Sequence, residues 1–538
     1  MRLIALALLL SGTTLAADLR QPTPDVFALT GVRVVTEPGR TLDAATIVIR
    51  DGIIEAVGQD IDPPSDARLI EFEREADQDP ITVYPGLIEA YLPITSSGEE
   101  SDDDESTASP EGRHELIHPD RRLRAQDWPG DQLAALREAG FTTAVMAPAD
   151  GLIRGQGLVA NIGDGELSHN LLMASFAHYA AFDARIRGRR FPNSLMGAVA
   201  LVRQTLDDAT WQQQARAAWQ RNPAQARPQW LEGLDELAPV VAGNTPLVFH
   251  ASDLTDTLRI LEFTRDRQLD LVVIGHGEEY RRMDSLSERP VRHILPLNFP
   301  EPPDARDEND RNVSLEALRH WKNAPGNPAQ LADADIPLMF TSLGLSQPKQ
   351  IFKQLARAIE AGLSADQALA ALTTEPAAWL GLEDRAGRIR PGYMANLIIV
   401  EGDLMVESPS INAVWIDGRE HVLTALVPPA VDPAGTWSLT LGLGSMGDME
   451  AVMVLTGPPT GMSGTLSVMG NESPFTDVKV SGEEVIASMD ASRFGGSGTV
   501  TMRLQIDGDR ARGNGNGPYG EFTVRGQRTG TPDTPEVL

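Results

Sequence analysis

The fold of this chain is decided by four short apolar runs, PLVFHA (246–251), LDLVVIGHG (269–277), VRHILPLNF (291–299) and IPLMFTSLG (336–344). Each run has the length of a buried strand, and each follows a helical or loop segment. A fifth run, FTTAVMAP (141–148), follows the helical stretch DQLAALREAG (131–140) in the same way. Strands that alternate with helices pair in parallel through right-handed crossovers. Because about eight such units close into a (β/α)8 barrel, we predict this barrel for the middle of the chain.

The segments on either side of this region carry β-strand signals. Residues 28–60 alternate β-branched runs with Gly-Arg and Asp-Gly turns, which is typical of a small antiparallel unit. The continuous apolar run 81–91 predicts a strand that is buried on both faces. Strand signals return near residue 386, and 427–435 is a Pro-rich linker. Residues 436–538 are rich in Gly and Thr without a helical period, which predicts a C-terminal all-β domain, either a sandwich or a small barrel.

Composition excludes several classes of function. The 538-residue chain has a formal net charge of −30 and no basic stripe. Nucleic acids and anionic membrane surfaces bind clustered Lys and Arg, so neither is expected as a partner. The chain has no cysteine, which excludes disulfide scaffolds, thiolate zinc sites and cysteine nucleophiles.

Residues 1–17 have the pattern of a secretory signal peptide. Arg2 supplies the positive charge, residues 3–10 the apolar stretch, and a small-residue cleavage zone ends at Ala17. The apolar stretch is shorter than the roughly 20 residues that span a bilayer, and no later segment predicts a membrane span. We therefore predict a soluble mature protein that is periplasmic or secreted.

Several segments together resemble the amidohydrolase superfamily. The superfamily's N-terminal half-sandwich is resembled most clearly in GVRVVTEPGRTLDAATIVIRDGIIEAVG (31–58). Its first barrel strand is similar to VYPGLIEAY (83–91), and the strand pair that completes the sandwich after the barrel is similar to GRIRPGYMANLIIVEGD (387–403). Four further segments resemble the imidazolonepropionase and prolidase-like branch of the superfamily. They are GFTTAVMAP (140–148), GLIRGQGLVANI (151–162), PLVFHASDLTDTLRILEF (246–263) and EAGLSADQALAALTTEPAAWLGL (360–382). The resemblance covers roughly residues 28–423, and it implies a composite β-sandwich from residues 18–80 and 385–426 and a barrel at 81–384. The all-β domain at 436–538 lies outside it.

The resemblance also implies a chemistry. Members of this superfamily hydrolyse C–N bonds with one or two metal ions at the barrel mouth, the end where the strands' carboxyl termini lie. The implied ligands are His-x-His after strand one, Lys or Glu after strand four, single His residues after strands five and six, and a proton-transferring Asp after strand eight. In this chain the His-x-His falls on Tyr91 and Pro93, and the Asp falls on Leu343. No lysine precedes Lys322, so the bridging lysine has no counterpart.

His250 and His276 match the ligands after strands five and six, and they are the candidate metal ligands. Two imidazoles form a weak metal site unless Asp253, Glu278 or His178 completes it. These three residues and Tyr91 are also the candidate substrate-binding residues. We predict either no cofactor or one weakly held divalent metal, for which zinc is the best match to imidazole ligands.

Two functions remain open from the sequence. The first is a hydrolase of non-peptide C–N bonds, such as those of cyclic amides, with an eroded metal site. The second is a catalytically inactive periplasmic pseudoenzyme that binds a small molecule, a peptide or a protein. In both cases we predict that the ligand binds at the mouth, where Tyr91, Pro93, His250, His276 and Leu343 should converge. The sequence predicts no oligomeric state.

Overall fold

The computed structural model describes residues 25–72, 79–95, 114–182, 191–231, 233–302, 313–423, 429–443, 447–494, 499–517 and 520–530. The predicted signal peptide lies outside these ranges, so it stays a prediction. None of the helices in the described ranges is long and apolar enough to cross a membrane.

The first part of the chain is all strand. Its strands are β1 (Val26–Glu37), β2 (Arg40–Arg50), β3 (Ile53–Gly58), β4 (Arg68–Glu71) and β5 (Ile81–Pro85).

The middle of the chain alternates strands and helices. The strands are β6 (Leu87–Ile94), β7 (Phe141–Pro148), β8 (Ile153–Gln156), β9 (Leu158–Asn161), β10 (Leu171–Met173), β11 (His178–Ala181), β12 (Leu247–His250), β13 (Leu271–Ile274), β14 (Arg292–Pro296) and β15 (Leu338–Thr341). The α-helices are α1 (Gly130–Glu138), α2 (Leu167–Asn170), α3 (Leu195–Arg221), α4 (Ala238–Val241), α5 (Leu254–Phe263), α6 (Met283–Ser287), α7 (Leu315–Asn323), α8 (Asn327–Asp333), α9 (Ile351–Glu360), α10 (Ala365–Leu372) and α11 (Thr374–Trp379).

The last part returns to strands. They are β16 (Leu397–Glu401), β17 (Ser410–Ile416), β18 (Arg419–Val422), β19 (Gly435–Gly442), β20 (Asp448–Thr456), β21 (Ser463–Val468), β22 (Asn471–Ser481), β23 (Glu484–Asp490), β24 (Thr499–Asp507), β25 (Arg510–Gly517) and β26 (Gly520–Gly530).

One eight-stranded sheet is built from both sides of the middle region. Its order is β18-β17-β16-β5-β1-β2-β3, with β4 paired to β1. The two halves join where β5 and β16 run antiparallel and Val83 lies opposite Ile399. Both strands are apolar along most of their length, and Val83, Ile399 and Trp415 pack in one core. Burial of these side chains is therefore what holds the distant segments together.

The middle strands form two further sheets. The order β15-β14-β13-β12-β11 is parallel throughout, and β8 adds to β11 in the antiparallel direction. The second sheet is β10-β9-β7-β6, in which β6 and β7 are parallel and β9 is antiparallel to β7. Among the described residues, the hydrogen-bond ladders thus form two sheets rather than one ring of eight parallel strands.

These two sheets enclose one core. Alternate residues of the strands pack together in it, namely Ile88, Ala90, Val145, Ala147, Val248, Val272, Ile274, Ile294 and Met339. The sheets meet at β6 and β15, where Thr341 Oγ1 donates to the carbonyl of Tyr91 (2.9 Å) and Ser342 N donates to Glu89 (2.9 Å). The arrangement is barrel-like, with its strand ends gathered at one side.

The glycines of GLIRGQG (151–157) are typical of a tight turn. In the structure, however, Ile153–Gln156 forms β8 and Leu158–Asn161 forms β9. Glycine is required inside the strand because Gly155 has a φ of +114° and a Cβ there would lie 2.5 Å from the carbonyl oxygen of Arg121. Pairing with β11 and β7 therefore overrides the turn signal of the glycines.

The C-terminal region is all β, as predicted. Strands β19 to β26 pair in sequence and β26 returns to β19, so the structure is a closed barrel and not a sandwich. Side chains of alternate residues, including Trp437, Leu439, Met453 and Leu504, fill its interior. Closure removes the exposed sheet edges that an open sheet of this length would present.

Ion pairs connect the C-terminal barrel to the eight-stranded sheet. Arg68 Nη1 lies 2.8 Å from Glu484 Oε1, and Arg503 Nη1 lies 3.1 Å from Glu420 Oε2. Lys479 Nζ also donates to the carbonyl of Val422 at 2.8 Å. At this interface, two arginines are balanced by two glutamates.

Candidate functional site

The matched ligand positions lie at one end of the parallel sheet. His250 is the last residue of β12 and is in register with Ile274, the last residue of β13. His276 follows two residues later, so both imidazoles lie at the mouth. The ring of Tyr91, on β6, is centred 6.2 Å from that of His250. Leu343 follows the end of β15 and packs against the same enclosed core.

Tyr91 is held inside this end of the sheet. It is 2% exposed, and its ring stacks on Tyr179 with 5.8 Å between centroids. Its hydroxyl accepts a hydrogen bond from Nη1 of Arg154 at 3.3 Å. Burial raises the pKa of Tyr91, although the charge of Arg154 opposes this effect. Tyr91 therefore stays a neutral phenol, which is a poor metal ligand.

Arg154 is a residue that the sequence analysis missed. It lies on β8, is 6% exposed, and donates from Nε to the carbonyl of Gly151 at 3.4 Å. Within the described ranges, no carboxylate lies within ion-pair distance of its guanidinium, although the ion pairs of the neighbouring arginines Arg122 and Arg137 are present. Among the described residues, the mouth thus contains a buried arginine without a direct ion pair.

His250 and His276 are both available imidazoles. Burial, reinforced by the charge of Arg154 and by His276, lowers the pKa of His250 to about 4, so it is neutral at neutral pH. The Nε2 atom of His276 is buried and has no hydrogen-bond partner in the described part of the chain. Its closest carboxylate oxygen is Oε1 of Glu279 at 3.7 Å, which is beyond hydrogen-bond range.

A buried glutamate fixes the loop that carries His276. Glu279 accepts from the backbone N of His276 at 2.9 Å and from Asn327 Nδ2 at 2.7 Å. Burial raises the pKa of Glu279, but His276, His293 and backbone donors outweigh it, so the pKa is lowered overall. A Cβ on Gly275 would lie 2.2 Å from Glu279 Oε1, so only glycine fits before His276.

A second buried glutamate fixes the opposite side. Glu89 is fully buried on β6, and its two oxygens accept from the backbone N of Tyr91 (3.1 Å) and of Ser342 (2.9 Å). Burial raises the pKa of Glu89. Both oxygens are used within the fold, so Glu89 positions the mouth and is not free to hold a cation.

Three predicted binding residues have other roles. His178 is the first residue of β11 and pairs with Leu247 at the start of β12, so it lies at the opposite end from His250. Its Nε2 hydrogen-bonds the carbonyl of Pro119 at 3.1 Å. The assignment of His178 to the mouth was therefore wrong, because β11 begins there rather than ends there.

Asp253 and Glu278 follow His250 and His276 closely in sequence, but their carboxylates make local contacts with the residues after them. Asp253 is the N-cap of α5 and accepts from the backbone N of Asp256 at 2.8 Å. Glu278 lies 3.2 Å from Nη2 of Arg281 in an ion pair. These local contacts correct the prediction that both carboxylates complete a metal or substrate shell.

The donor set does not fit a catalytic divalent metal. No group of three or more His, Asp or Glu side chains in the described ranges could hold a metal ion. A catalytic zinc takes about three protein ligands. Pro93 and Leu343 offer none, and the guanidinium of Arg154 repels a cation from the space beside Tyr91 and His250.

A cleft in the described structure lies away from the mouth. Its volume is about 500 Å³, and it is lined by Arg33, Tyr84, Asp403 and neighbouring residues. Its polar groups are already paired, since Arg33 donates to Asp43 and Tyr84 donates to Asp403, both at 2.9 Å. None of the predicted site residues lines it.

The comparisons with known proteins agree with this architecture. Residues 349–422, from α9 to β18, match the model of an amidohydrolase family. The crystal structure of an amidohydrolase from Thermotoga maritima superposes with a TM-score of 0.57 and 19% identity, over 73% of this chain and 99% of that one. The fold is that of the amidohydrolase superfamily.

The predicted resemblance to amidohydrolases is thereby confirmed. The structure of a putative prolidase from Bifidobacterium longum is also similar, at 16% identity and a TM-score of 0.42, over 74% of this chain and 95% of that one. At such low identities the likeness concerns the fold, and the second TM-score is too low to bear on function. No curated protein matches the chain in sequence.

Proposed function

We propose that this amidohydrolase-type protein is a periplasmic pseudoenzyme that binds a small molecule or peptide at the mouth of a (β/α)8 barrel. The observation that carries the proposal is the replacement of metal-binding groups at the mouth. Among the matched positions, only His250 and His276 have side chains suited to ligate a metal, and Arg154 adds a positive charge beside them.

The same replacements remove the usual means of activating water. Leu343 stands at the position where the resemblance implies a proton-accepting Asp, and no other carboxylate takes its place in the described structure. Glu89 is engaged by two backbone N–H groups, and Glu279 is engaged by the backbone and Asn327. A hydrolytic water would thus lack both a Lewis acid and a positioned base.

The second candidate function is hydrolysis of non-peptide C–N bonds, such as those of cyclic amides, with a reduced metal site. One observation favours it: His250 and His276 stand at the ends of neighbouring strands, and His250 is unprotonated at neutral pH, as a metal ligand must be. The match to the amidohydrolase family model is consistent with this function.

Elemental analysis of the purified full chain separates the two candidates. The protein is incubated with zinc, manganese or iron, dialysed, and assayed with hydantoin, dihydrouracil and dipeptides. His250→Ala removes an imidazole from the mouth, and His169→Ala, an exposed histidine on α2, is the matched control.

We expect less than one tightly held metal ion per chain, the same content in both variants, and poor turnover with or without metal. Stoichiometric metal that is lost in His250→Ala but kept in His169→Ala, together with metal-dependent turnover, would overturn the proposal and favour the hydrolase.

A further inference from the structure

No carboxylate of the described residues lies within 4 Å of the guanidinium of Arg154. The side chain is 6% exposed, and its two hydrogen bonds, to Tyr91 Oη at 3.3 Å and to the carbonyl of Gly151 at 3.4 Å, are both long. No carboxylate of the described residues forms an ion pair with it. A guanidinium has five N–H donors, so most of its capacity is unused.

Several other buried charges that the structure describes are satisfied within the fold. Glu484 and Glu420 pair with Arg68 and Arg503 at the C-terminal interface, and Glu279 is satisfied by backbone and side-chain donors. A buried charge without a partner is strongly unfavourable to folding. Since such groups cluster at functional sites, Arg154 calls for a partner that is not part of the fold.

Polar groups near Arg154 also have unused hydrogen-bonding capacity. The hydroxyl of Tyr91 accepts from Arg154, which leaves its own proton free for another acceptor. The hydroxyl of Tyr179 and Nε2 of His276 are buried and have no hydrogen-bond partner within the described ranges. Tyr179 stacks on Tyr91, so its unpaired hydroxyl belongs to the same region. A ligand with several acceptor atoms would satisfy the two tyrosine hydroxyls, and also Nε2 of His276 in the tautomer that carries its proton there.

We propose that Arg154 anchors the carboxylate of a small organic monoanion at the mouth, in the place of the divalent cation that the fold usually holds. This inference rests on the proposed binding function and names the ligand class. A planar guanidinium fork matches the two oxygens of a carboxylate. One guanidinium balances one negative charge, whereas a phosphate monoester would bring a second, uncompensated charge into a buried site.

Calorimetric titration of the full chain tests the inference with four probes. Acetate and N-acetylglycine carry a carboxylate, N-acetylglycinamide is the neutral match of the second, and methyl phosphate is the dianionic alternative. The variants are Arg154→Met, which removes the charge at similar length, and Arg154→Lys, which keeps it without the fork. Arg216→Met, on the exposed face of α3 over the Trp230 ring, is the control.

We expect the two carboxylates to bind and the amide to bind at least tenfold more weakly. Arg154→Met should weaken carboxylate binding about 10- to 100-fold, the loss expected for charge-assisted hydrogen bonds. Arg154→Lys should be intermediate, and Arg216→Met should be unchanged. Because Arg154→Met removes a buried charge that has no ion pair, the melting temperature of the ligand-free variant should not be lower than that of the ligand-free wild type. If Arg154 only stabilised the fold, Arg154→Met would instead melt at a lower temperature than the wild type.

The inference is overturned if the wild type binds neither carboxylate, if methyl phosphate binds more tightly, or if both Arg154 variants bind like the wild type. Should Arg154→Met fail to fold, Arg154→Lys still gives the comparison. Equal binding of acid and amide would refute the role of Arg154 but leave the binding function intact. Stoichiometric metal together with metal-dependent turnover would instead refute the proposed binding function, whatever Arg154 does.

Discussion

Glu89 offers the sharpest test of how the mouth is held together. Its two carboxyl oxygens accept from different strands, Oε1 from the backbone N of Tyr91 on β6 and Oε2 from Ser342 just after β15. The side chain is fully buried, so water cannot replace either bond. We predict that Glu89→Gln destabilises the contact between β6 and β15, although the two side chains have nearly the same shape.

The magnitude follows from the number of acceptors. Glutamine has one carbonyl oxygen, and its NH2 group would face the second N–H donor. One buried N–H is then left without an acceptor, which costs about 1–3 kcal/mol. Glu89→Ala leaves both N–H groups unpaired and should cost roughly 2–6 kcal/mol, before the cost of the cavity is added. Burial raises the pKa of Glu89, but even a protonated carboxyl group differs from the glutamine amide. Its hydroxyl oxygen can still accept a hydrogen bond from Ser342, whereas the amide nitrogen of glutamine cannot.

Urea unfolding and hydrogen–deuterium exchange measure this effect. Exchange should accelerate in peptides that contain Tyr91 and Ser342, while the C-terminal barrel keeps its protection. The matched control is Glu316→Gln, because Glu316 is 76% exposed and only pairs with Arg281 at the surface. Its stability should change by less than about 0.5 kcal/mol. Equal effects of Glu89→Gln and Glu316→Gln would refute the argument that Glu89 joins the two sheets.

Three further predictions concern other parts of the chain. Burial lowers the pKa of His178 to about 4, so the unfolded chain takes up a proton below pH 6.5 while the folded chain does not. Stability should fall by about 3 kcal/mol as the pH drops from 6.5 to 4, and His178→Gln should reduce this slope in urea titrations. Asp253→Ala should lower the free energy of unfolding by about 0.5–2 kcal/mol, because α5 loses its N-cap, whereas Asp253→Ser should be about as stable as the wild type. If the stable Asp253 variants bound ligand differently from the wild type, the capping role would be contradicted. Export should remove residues 1–17, so N-terminal sequencing of periplasmic protein should begin at Asp18, and full-length protein retained in the cytoplasm would contradict this.

The convergence of the mouth residues was predictable because it follows from parallel pairing alone. Parallel strands end at the same edge, so a histidine at the end of β12 and another after β13 must be neighbours. The capping role of Asp253 was also within reach, because an Asp before an amphipathic run is a helix-start signal. Its position three residues after His250 favours a ligand role in the sequence, and only the structure shows the cap.

Other features depend on which strands pair, which local patterns do not determine. The run 171–180 contains β10, a loop and the start of β11, and only pairing with β12 shows that His178 begins a strand. Arg154 lies between glycines that indicate a turn. Its burial arises because β8 pairs antiparallel with β11, which directs its guanidinium towards Tyr91.

The replacements at the mouth all act in the same direction, because they remove hydrogen-bond acceptors and add a positive charge. The superfamily pattern implied by the resemblance gathers acceptors, imidazoles and carboxylates, around a cation. Here Pro93 and Leu343 contribute no acceptor, Glu89 is occupied by backbone donors, and Arg154 contributes a cation of its own. The hydroxyl of Tyr179 has no partner in the described structure, and the proton of the Tyr91 hydroxyl is still available to an acceptor. A site with a fixed positive charge and surplus donors attracts anions and repels divalent metals, so restoring single ligands would not restore a metal site while Arg154 is present.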